Sequence, residues 1–226
     1  MMMHTMKRQF VLVAALAFAT LQAAYAQQSR SSAEEAQYTR VITARSQKIV
    51  DQLGITDTAK AGAVRDVLVS QYRRLGKVYD WRQAEKKSLK QSGLSSGERT
   101  LRQNQVDSAA DLTLMKYHRN FIGRLSAVLT PEQVDKVKDA MTYNVLHVTY
   151  QAYLDMLPNL TQPQKDTILS DLIEAREYSM DGGSSEEKHW WFGKYKGRIN
   201  NFLSREGVNM DEARKAWAAR RAAGKN

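Results

Sequence analysis

The chain has 226 residues, a formal net charge of +10 and no cysteine. A length of this order suits one domain with one hydrophobic core, which packing alone must hold because disulfides are excluded. For an exported protein the basic excess favours an anionic partner such as an acidic glycan, lipopolysaccharide or anionic lipid, and we expect no nucleic-acid partner. The alternative is that the charge only keeps a helical protein soluble.

The first 26 residues have the layout of a secretory signal peptide. Lys7 and Arg8 precede an apolar run over residues 10–21, and Ala24-Tyr25-Ala26 follows as a small-x-small cleavage site. The run is too short to span a bilayer, and no cysteine follows it that could carry a lipid. We therefore predict a protein that begins near Gln27 after cleavage, is periplasmic or secreted, and has no integral membrane anchor.

Apolar residues at helical spacing dominate the remainder of the chain. Four long stripes occur, over residues 38–53, 64–78, 110–128 and 134–148. No stretch combines alternating patterning with paired turn signals, so strands are not expected. The pattern predicts an all-α fold, a single-domain helical bundle of about six to seven helices over residues 27–226. It also predicts a flexible loop near residues 91–98 and a frayed basic tail that contains Arg214, Arg220, Arg221 and Lys225.

Two helix starts share the pattern Leu-Thr-x-x-Gln. In "LTPEQ", Thr130 is the expected N-cap and Gln133 its capping-box partner, and "LTQPQ" repeats this with Thr161 and Gln164. A looser third copy begins at Thr56. The pattern resembles the signature of periplasmic stress chaperones, small helical proteins that cradle unfolded clients. Ordinary helix capping explains it equally well.

A broader resemblance covers nearly the whole chain after the signal peptide. The segments "YTRVITARSQKIVDQLGI", "MTYNVLHVTYQAYLDMLPNLT" and "EAREYSMDGGSSEEKHWWFGKYKGRINNFL" resemble an uncharacterised family of secreted bacterial helical proteins, the domain of unknown function DUF3826. Members of that family tend to be encoded among polysaccharide-degrading genes. The resemblance implies a glycan context and no particular mechanism.

The segment "DGGSSEEKHWWFGKYKGRINNFL" (residues 181–203) is unusually rich in aromatic and charged residues. Gly182 and Gly183 should end one helix through a left-handed turn, and Ser184 should cap the next helix with Glu187 as its capping-box partner. At 100° per residue, six residues gather on one arc, which we predict to be the core face: Trp191, Phe192, Tyr195, Ile199, Phe202 and Leu203.

A stripe beside this arc is the predicted site. His189, Gly193, Lys196 and Asn200 follow i, i+4, i+7, i+11 spacing, and Gly193 leaves a dent that faces either a ligand or a neighbouring helix. Gly197, four residues later, favours the interpretation that the dent faces a neighbouring helix.

The Gly-Gly turn should fold two helices back antiparallel and bring Glu177 and Asp181 near Lys188 and His189. A carboxylate beside an imidazole suits general acid–base catalysis, so Glu177 and His189 are the candidate catalytic pair. The alternative is a solvent-exposed salt-bridge cluster. Tyr143 and His147 recur at helical spacing and could line a pocket. Together the candidate ligand-binding residues are Lys188, Lys196, Arg198, Asn200, Tyr143 and His147.

No metal or cofactor site is predicted. His118, His147 and His189 each lack a second histidine at ligand spacing, and no phosphate loop, dinucleotide fingerprint or nucleophile elbow occurs. The leading hypothesis is an exported protein that binds an acidic or complex glycan in a polysaccharide-utilisation context, and whether it also processes that glycan as an enzyme stays open. The alternative is a periplasmic chaperone-like binding module without catalysis. A small polar pocket would favour the first hypothesis, and an open apolar concavity the second. The sequence predicts no oligomeric state.

Overall fold

The computed structural model describes residues 31–224, and this part of the chain is helical without a strand. Its eight helices are α1 (Ser32–Asp51), α2 (Thr58–Gln91), α3 (Ser96–Ser126), α4 (Pro131–Met141), α5 (Val145–Met156), α6 (Gln162–Met180), α7 (Ser185–Arg205) and α8 (Met210–Ala223). The all-α prediction is confirmed, although the described residues contain more helices than the six to seven expected. The predicted signal peptide, residues 1–26, lies outside the described residues.

The chain divides into two compact units after Ile42. Residues 31–42 are the described part of the first unit, and residues 32–42 form the N-terminal part of α1. The second unit begins at Thr43 and contains the rest of α1 and the helices α2–α8. The single domain predicted from the sequence is therefore not exact. Everything below concerns the second unit.

The fourth apolar stripe, residues 134–148, is two helices and not one. Tyr143 and Asn144 both have a φ of 57°, in the left-handed region. Each such residue costs about 1–2 kcal/mol, and two in succession cannot continue a right-handed helix. The chain therefore breaks between α4 and α5, and Val148, expected on the core face, is 64% exposed. The interpretation of this stripe as one helix was wrong.

Two helical hairpins make the most extensive contacts of the second unit. One pairs α2 with α3 and the other pairs α6 with α7. A small cluster holds the first hairpin together: Leu75, Val78, Ala110 and Leu114. The second hairpin packs with α5 and α8 around a larger core, whose members include Leu146, Ile168, Leu172, Ala175, Phe192, Tyr195, Ile199 and Leu203.

The core face predicted for α7 is confirmed. Phe192, Tyr195, Ile199 and Leu203 are buried, and Trp191 and Phe202 pack partly buried against the same core. Period-3.6 patterning identified this face because an amphipathic helix must turn its apolar stripe inward.

Two of the three helix starts related to the Leu-Thr-x-x-Gln pattern have the predicted cap. Thr130 and Thr161 form complete capping boxes with Gln133 and Gln164. At the third start the cap is Asp57 and not Thr56, because the Asp57 carboxylate accepts from the amides of Ala59 at 2.8 Å and Lys60 at 3.2 Å.

The turn between α6 and α7 differs from the prediction. Ser184 accepts from the Glu187 amide at 3.1 Å, but the Glu187 carboxylate accepts from the Gly183 amide at 2.8 Å and so completes no capping box. The positive-φ glycines of the described chain are Gly54 and Gly207, so no left-handed glycine forms this turn. Glycine is needed for space instead: a Cβ added to Gly183 would lie 2.5 Å from Cγ and Cδ2 of the Tyr79 ring.

Two segments expected to be irregular contain more helix than the sequence suggested. The α2–α3 connection is residues 92–95, and Ser95 starts α3 with a capping box. The C-terminal basic segment is helical to Ala223. Arg220 of that helix donates to the carbonyl oxygens of Asp155 at 2.9 Å and Met156 at 3.1 Å. Lys225 lies outside the described residues.

Candidate functional site

A cleft of about 540 Å³ lies between the α2–α3 hairpin and the α6–α7 hairpin. Its volume is typical of small-molecule sites. We call it the aromatic cleft, and its lining residues are Tyr79, Arg82, Asp107, Asp111, Leu114, Met115, Tyr178, Asp181, Glu187, Trp190 and Trp191.

Three of the aromatic rings form a connected wall. The rings of Tyr178 and Trp191 stack at 4.6 Å between centroids, and Trp190 meets Trp191 edge-on at 4.9 Å. Trp190 is 58% exposed and Tyr178 is 46% exposed. Lys194 lies outside the cleft lining with its Nζ 4.9 Å from the Trp191 ring centroid. Exposed neighbouring rings of this kind offer a flat amphipathic surface with polar edges.

The fourth aromatic ring of the cleft, Tyr79, packs against the turn between α6 and α7. Its face lies against Gly183, and its hydroxyl donates to the carbonyl oxygen of Asp181 at 2.9 Å. Burial, followed by the charge of Glu187, raises the pKa of the Tyr79 hydroxyl far above its usual value. Tyr79 is therefore a neutral hydrogen-bond donor at any physiological pH.

The polar lining of the cleft is mainly acidic. It contains four carboxylates, Asp107, Asp111, Asp181 and Glu187, against one cation, Arg82. Asp107 is already paired, with Arg82 Nε at 2.9 Å and Lys86 Nζ at 2.7 Å. Asp111 is exposed. The cleft thus presents carboxylate oxygens, which accept hydrogen bonds from hydroxyl groups.

Behind the cleft, His118 of α3 lies between two carboxylates. One is Glu177 of α6, and the other is Asp181 at the C-terminal end of α6. Nδ1 of His118 lies 2.9 Å from Asp181 Oδ2, and its Nε2 lies 3.3 Å from Glu177 Oε2. The bonds to Asp181 and then Glu177 raise the pKa of His118 to about 9, so the imidazole is protonated at neutral pH. Both ring nitrogens are then donors, which matches the two carboxylate partners.

Glu177 is held as a carboxylate by the same arrangement. Burial alone would raise its pKa, but the bonds from His118 and from Lys138 Nζ, at 2.8 Å, lower it to about 2. A catalytic acid or base works best with a pKa near the working pH. The pKa of His118 is shifted above neutral pH and that of Glu177 below it, and the two groups pair with each other in the ionic network behind the cleft.

The ionic network continues from Glu177 towards α4 and α5. The buried Arg176 donates to Asp139 and Asp135, both at 2.7 Å. Asp139 in turn lies 2.9 Å from Nε2 of His147. His147, a candidate ligand-binding residue, therefore belongs to the outer end of this network.

The structure does not bring the predicted catalytic pair together. The imidazole partner of Glu177 is His118, whereas His189 is exposed and stacks on Tyr143 with 5.7 Å between ring centroids. Lys188 is buried, and its Nζ donates to the carbonyl oxygens of Ser179 at 3.0 Å and Met180 at 2.9 Å.

The remaining predicted ligand-binding residues occupy other places. Lys196 and Asn200 line a cavity of about 170 Å³, where Asn200 accepts from the Tyr153 hydroxyl at 2.8 Å. Arg198 pairs with Asp171 at 3.1 Å and with Glu174 at 2.9 Å. The eight predicted residues thus do not form one site.

Gly193, where the sequence predicted a dent, has no packed neighbour. A Cβ added to Gly193 or to Gly197 would meet nothing within 4 Å. No neighbouring helix therefore approaches the backbone at either glycine.

Sequence reasoning missed the α2 and α3 sides of the cleft. The signal available was on α3, where Asp107, Asp111 and Leu114 recur at i, i+4, i+7 on one face. On α7, Trp190 lies about 100° from Trp191 and so faces away from the core arc. A tryptophan that faces outward next to a tryptophan of the core arc was the available sequence signal for the aromatic wall.

Within residues 31–224, no group of three or more histidine, cysteine or acidic side chains is placed to hold a metal ion. No helix in that same range has the length and apolarity needed to cross a membrane.

Comparison with models of known protein families gives a match. The family model DUF3826, described as a protein of unknown function, matches residues 39–223. A search of the curated proteins found no match. The matched range contains every helix that lines the aromatic cleft. The chain belongs to the DUF3826 family.

Proposed function

We propose that the protein binds a glycan in the aromatic cleft. The observation that carries this proposal is the exposed wall of Trp190 and Tyr178 beside Trp191, in a cleft whose lining also contains four carboxylates. A sugar ring has an apolar face of C–H groups and a rim of hydroxyls. The aromatic wall suits the apolar face, and the carboxylates accept hydrogen bonds from the hydroxyls.

The charge of the cleft narrows the class of glycan. Asp107 and Asp181 are compensated by cationic partners, whereas Asp111 and Glu187 of the lining have no ion pair among the described residues, and these two carboxylates disfavour an acidic sugar. A neutral, hydroxyl-rich oligosaccharide is therefore the ligand we propose for this cleft, in place of the acidic glycan suggested by the net charge of the chain. Export to the periplasm or the medium and a role in polysaccharide utilisation remain part of the proposal, because such a ligand is encountered there.

Binding without chemistry is the simplest function for this site. Hydrolysis of a glycosidic bond ordinarily needs two carboxyl groups in different protonation states on either side of the bond. Of the cleft carboxylates, Asp107 is ion-paired and Asp181 is bonded to His118. The buried and ionised groups behind the cleft thus serve to hold its walls.

The test is a binding assay with purified protein on an array of neutral and acidic oligosaccharides. Trp190→Ala should weaken binding of the recognised neutral glycan tenfold or more, because the truncation removes the exposed face of the wall and opens no core cavity. Trp217→Ala is the matched control, since it removes an indole outside the aromatic cleft. Thermal melts of both variants show whether the fold is retained.

Two results would contradict the proposal. One is the absence of any bound glycan on the array, and the other is full binding by Trp190→Ala. The chaperone-like alternative is tested in parallel with denatured proteins as ligands. If these bind and Trp190→Ala abolishes their binding, the cleft is a client-binding surface and the glycan proposal fails.

A further inference from the structure

A second cavity of the second unit has the opposite character from the aromatic cleft. It encloses about 300 Å³, and we call it the basic pocket. Its lining residues are Arg45, Lys48, Ile49, Gln52, Tyr72, Ala140, Met141, Tyr143, Asn144 and Lys188. Three of these are cations and none is a carboxylate. Cations brought together without acidic neighbours in the lining favour an anionic occupant.

Lys188 is the deepest of the three cations. The residue is 5% exposed, and its ammonium donates to the carbonyl oxygens of Ser179 and Met180. An ammonium has three N–H donors, so these two bonds leave one donor beyond them. Burial and, to a smaller extent, the charge of Arg45 lower the pKa of Lys188 to about 8, against the charges of Asp181 and Glu187, which act to raise it.

The carboxylates that act on Lys188 belong to a different cavity. Asp181 and Glu187 both line the aromatic cleft, and neither lines the basic pocket. Both charges act on Lys188, yet the lining of the basic pocket contains no counter-ion for it. An anion in the pocket would supply one.

Arg45 and Lys48 stand on one face of α1, at the pocket wall. The guanidinium of Arg45 lies over the Tyr72 ring, 5.4 Å from its centroid. A ring contact of this kind fixes the orientation of the planar group, whose paired N–H donors match the oxygens of a carboxylate or phosphate. Both Arg45 and Lys48 are exposed, so their side chains are available to a ligand from solvent.

The wall of the pocket also contains the strained backbone between α4 and α5. Tyr143 and Asn144, both at a φ of 57°, contribute to the lining. Residues held in such sparsely populated regions concentrate at binding sites. Here the break presents a phenol and a carboxamide to the cavity, and Gln52 adds a second carboxamide. These groups can bond to hydroxyls of a ligand whose anion lies among the cations.

We infer that the basic pocket binds the anionic group of a molecule of monosaccharide size, with Arg45, Lys48 and Lys188 as its cationic partners. The volume of about 300 Å³ sets this size, at the lower end of small-molecule sites. Carboxylate and phosphate share the required chemistry. The site is separate from the aromatic cleft, and its occupancy does not depend on the function proposed there.

The experiment is a calorimetric or NMR titration with three sugars of similar size: glucuronate, glucose 6-phosphate and glucose. At least one anionic sugar should bind, and neutral glucose should not. Arg45→Gln and Lys48→Gln should each weaken the anionic sugar about tenfold, as is usual when a hydrogen bond to a charged group is lost. Lys136→Gln is the matched control, because Lys136 is an exposed lysine of α4 outside the lining. It should bind like the parent.

The arms of the titration separate the outcomes. Binding of glucuronate alone identifies a carboxylate site, and binding of glucose 6-phosphate alone identifies a phosphate site. The inference is overturned if neither anionic sugar binds at millimolar concentration, if glucose binds equally well, or if the Arg45 and Lys48 variants bind like the parent. Trp190→Ala should leave this binding unchanged, so a failure of the cleft proposal and a failure of the pocket proposal give different results.

Discussion

The aromatic cleft and the basic pocket both use the first turns of α7, yet they differ in charge. Glu187, Trp190 and Trp191 line the cleft, whereas Lys188 lines the pocket. Successive residues of a helix point about 100° apart, so neighbours in sequence enter different cavities. A mixed segment such as "EEKHWW" therefore supplies an acidic, aromatic surface to one cavity and a buried cation to another.

The comparison also limits what net charge can predict. The formal charge of +10 suggested an anionic partner for the chain as a whole. The basic pocket fits that expectation, but the larger cavity is lined by four carboxylates and one arginine. Net charge describes the long-range field of a protein, and the composition of each cavity decides what it holds.

The largest expected effect concerns the turn that joins the cleft to the α6–α7 hairpin. Gly183→Ala places a Cβ within 2.5 Å of the Tyr79 ring, so the ring or the turn must shift. Overpacking of this kind costs about 3 kcal/mol of unfolding free energy, measurable by urea denaturation. Gly193→Ala is the control: its Cβ meets nothing, and it should stabilise α7 by up to about 1 kcal/mol. Equal stabilities of the two variants would show that Tyr79 does not lie against the turn.

The next largest effect is a pH dependence of stability, which should differ between the residues beside the two cavities. His118, behind the cleft, has its pKa raised from 6.5 to about 9. Its stabilising contribution is fully present below pH 6.5 and is lost as the pH rises through 9. With allowance for partial solvent access and coupling to its two carboxylates, the loss is about 2 kcal/mol. Urea unfolding between these pH values should show this decline in the parent and not in His118→Gln.

Lys188, beside the pocket, should give the opposite slope at higher pH. Its pKa is lowered from 10.5 to about 8, so the unfolded chain binds the proton more tightly. The contribution of Lys188 to the free energy of unfolding therefore increases as the pH rises from 8 to 10.5. It is fully present above pH 10.5 and is lost as the pH falls through 8. Lys188→Met should remove that rise. The assignment of both groups would be contradicted by the following result. The stability of the parent protein changes in one direction only with pH, and neither His118→Gln nor Lys188→Met alters that change.

The smallest expected effect lies outside both cavities. Thr161→Ala removes the N-cap of α6 and should cost about 1 kcal/mol of unfolding free energy. Binding in the cleft and in the pocket should be unchanged, because the cap lies at the opposite end of α6 from the hairpin turn. Loss of binding without loss of stability would favour the chaperone-like interpretation of the Leu-Thr-x-x-Gln pattern.

Sequence reasoning succeeded where the determining interactions are local. The caps at Thr130 and Thr161 depend on residues three positions apart, and the core face of α7 depends on its own periodicity. Both are determined by helix geometry alone. The break at Tyr143 and Asn144 was missed because neither residue type requires a left-handed conformation.

The site was less accessible because its contacts join distant residues. His118 and Asp181 are separated by 63 positions, and Tyr79 and Asp181 by 102. A spacing rule on one helix cannot choose His118 over His189 as the partner of Glu177. Which histidine pairs with Glu177 depends on how the two hairpins pack against each other. That packing is determined by side chains that are far apart in the sequence.

The hairpin arrangement has a consequence for the order of folding. Within each hairpin the paired helices are neighbours in sequence, so each can form early and with a small loss of chain entropy. The aromatic cleft exists only after the hairpins meet, when Tyr79 covers Gly183 and His118 reaches Asp181. Ligand capture by the cleft therefore reports that the two hairpins have docked. A refolding experiment should show helical signal before the indole environment of Trp190 and Trp191 becomes native.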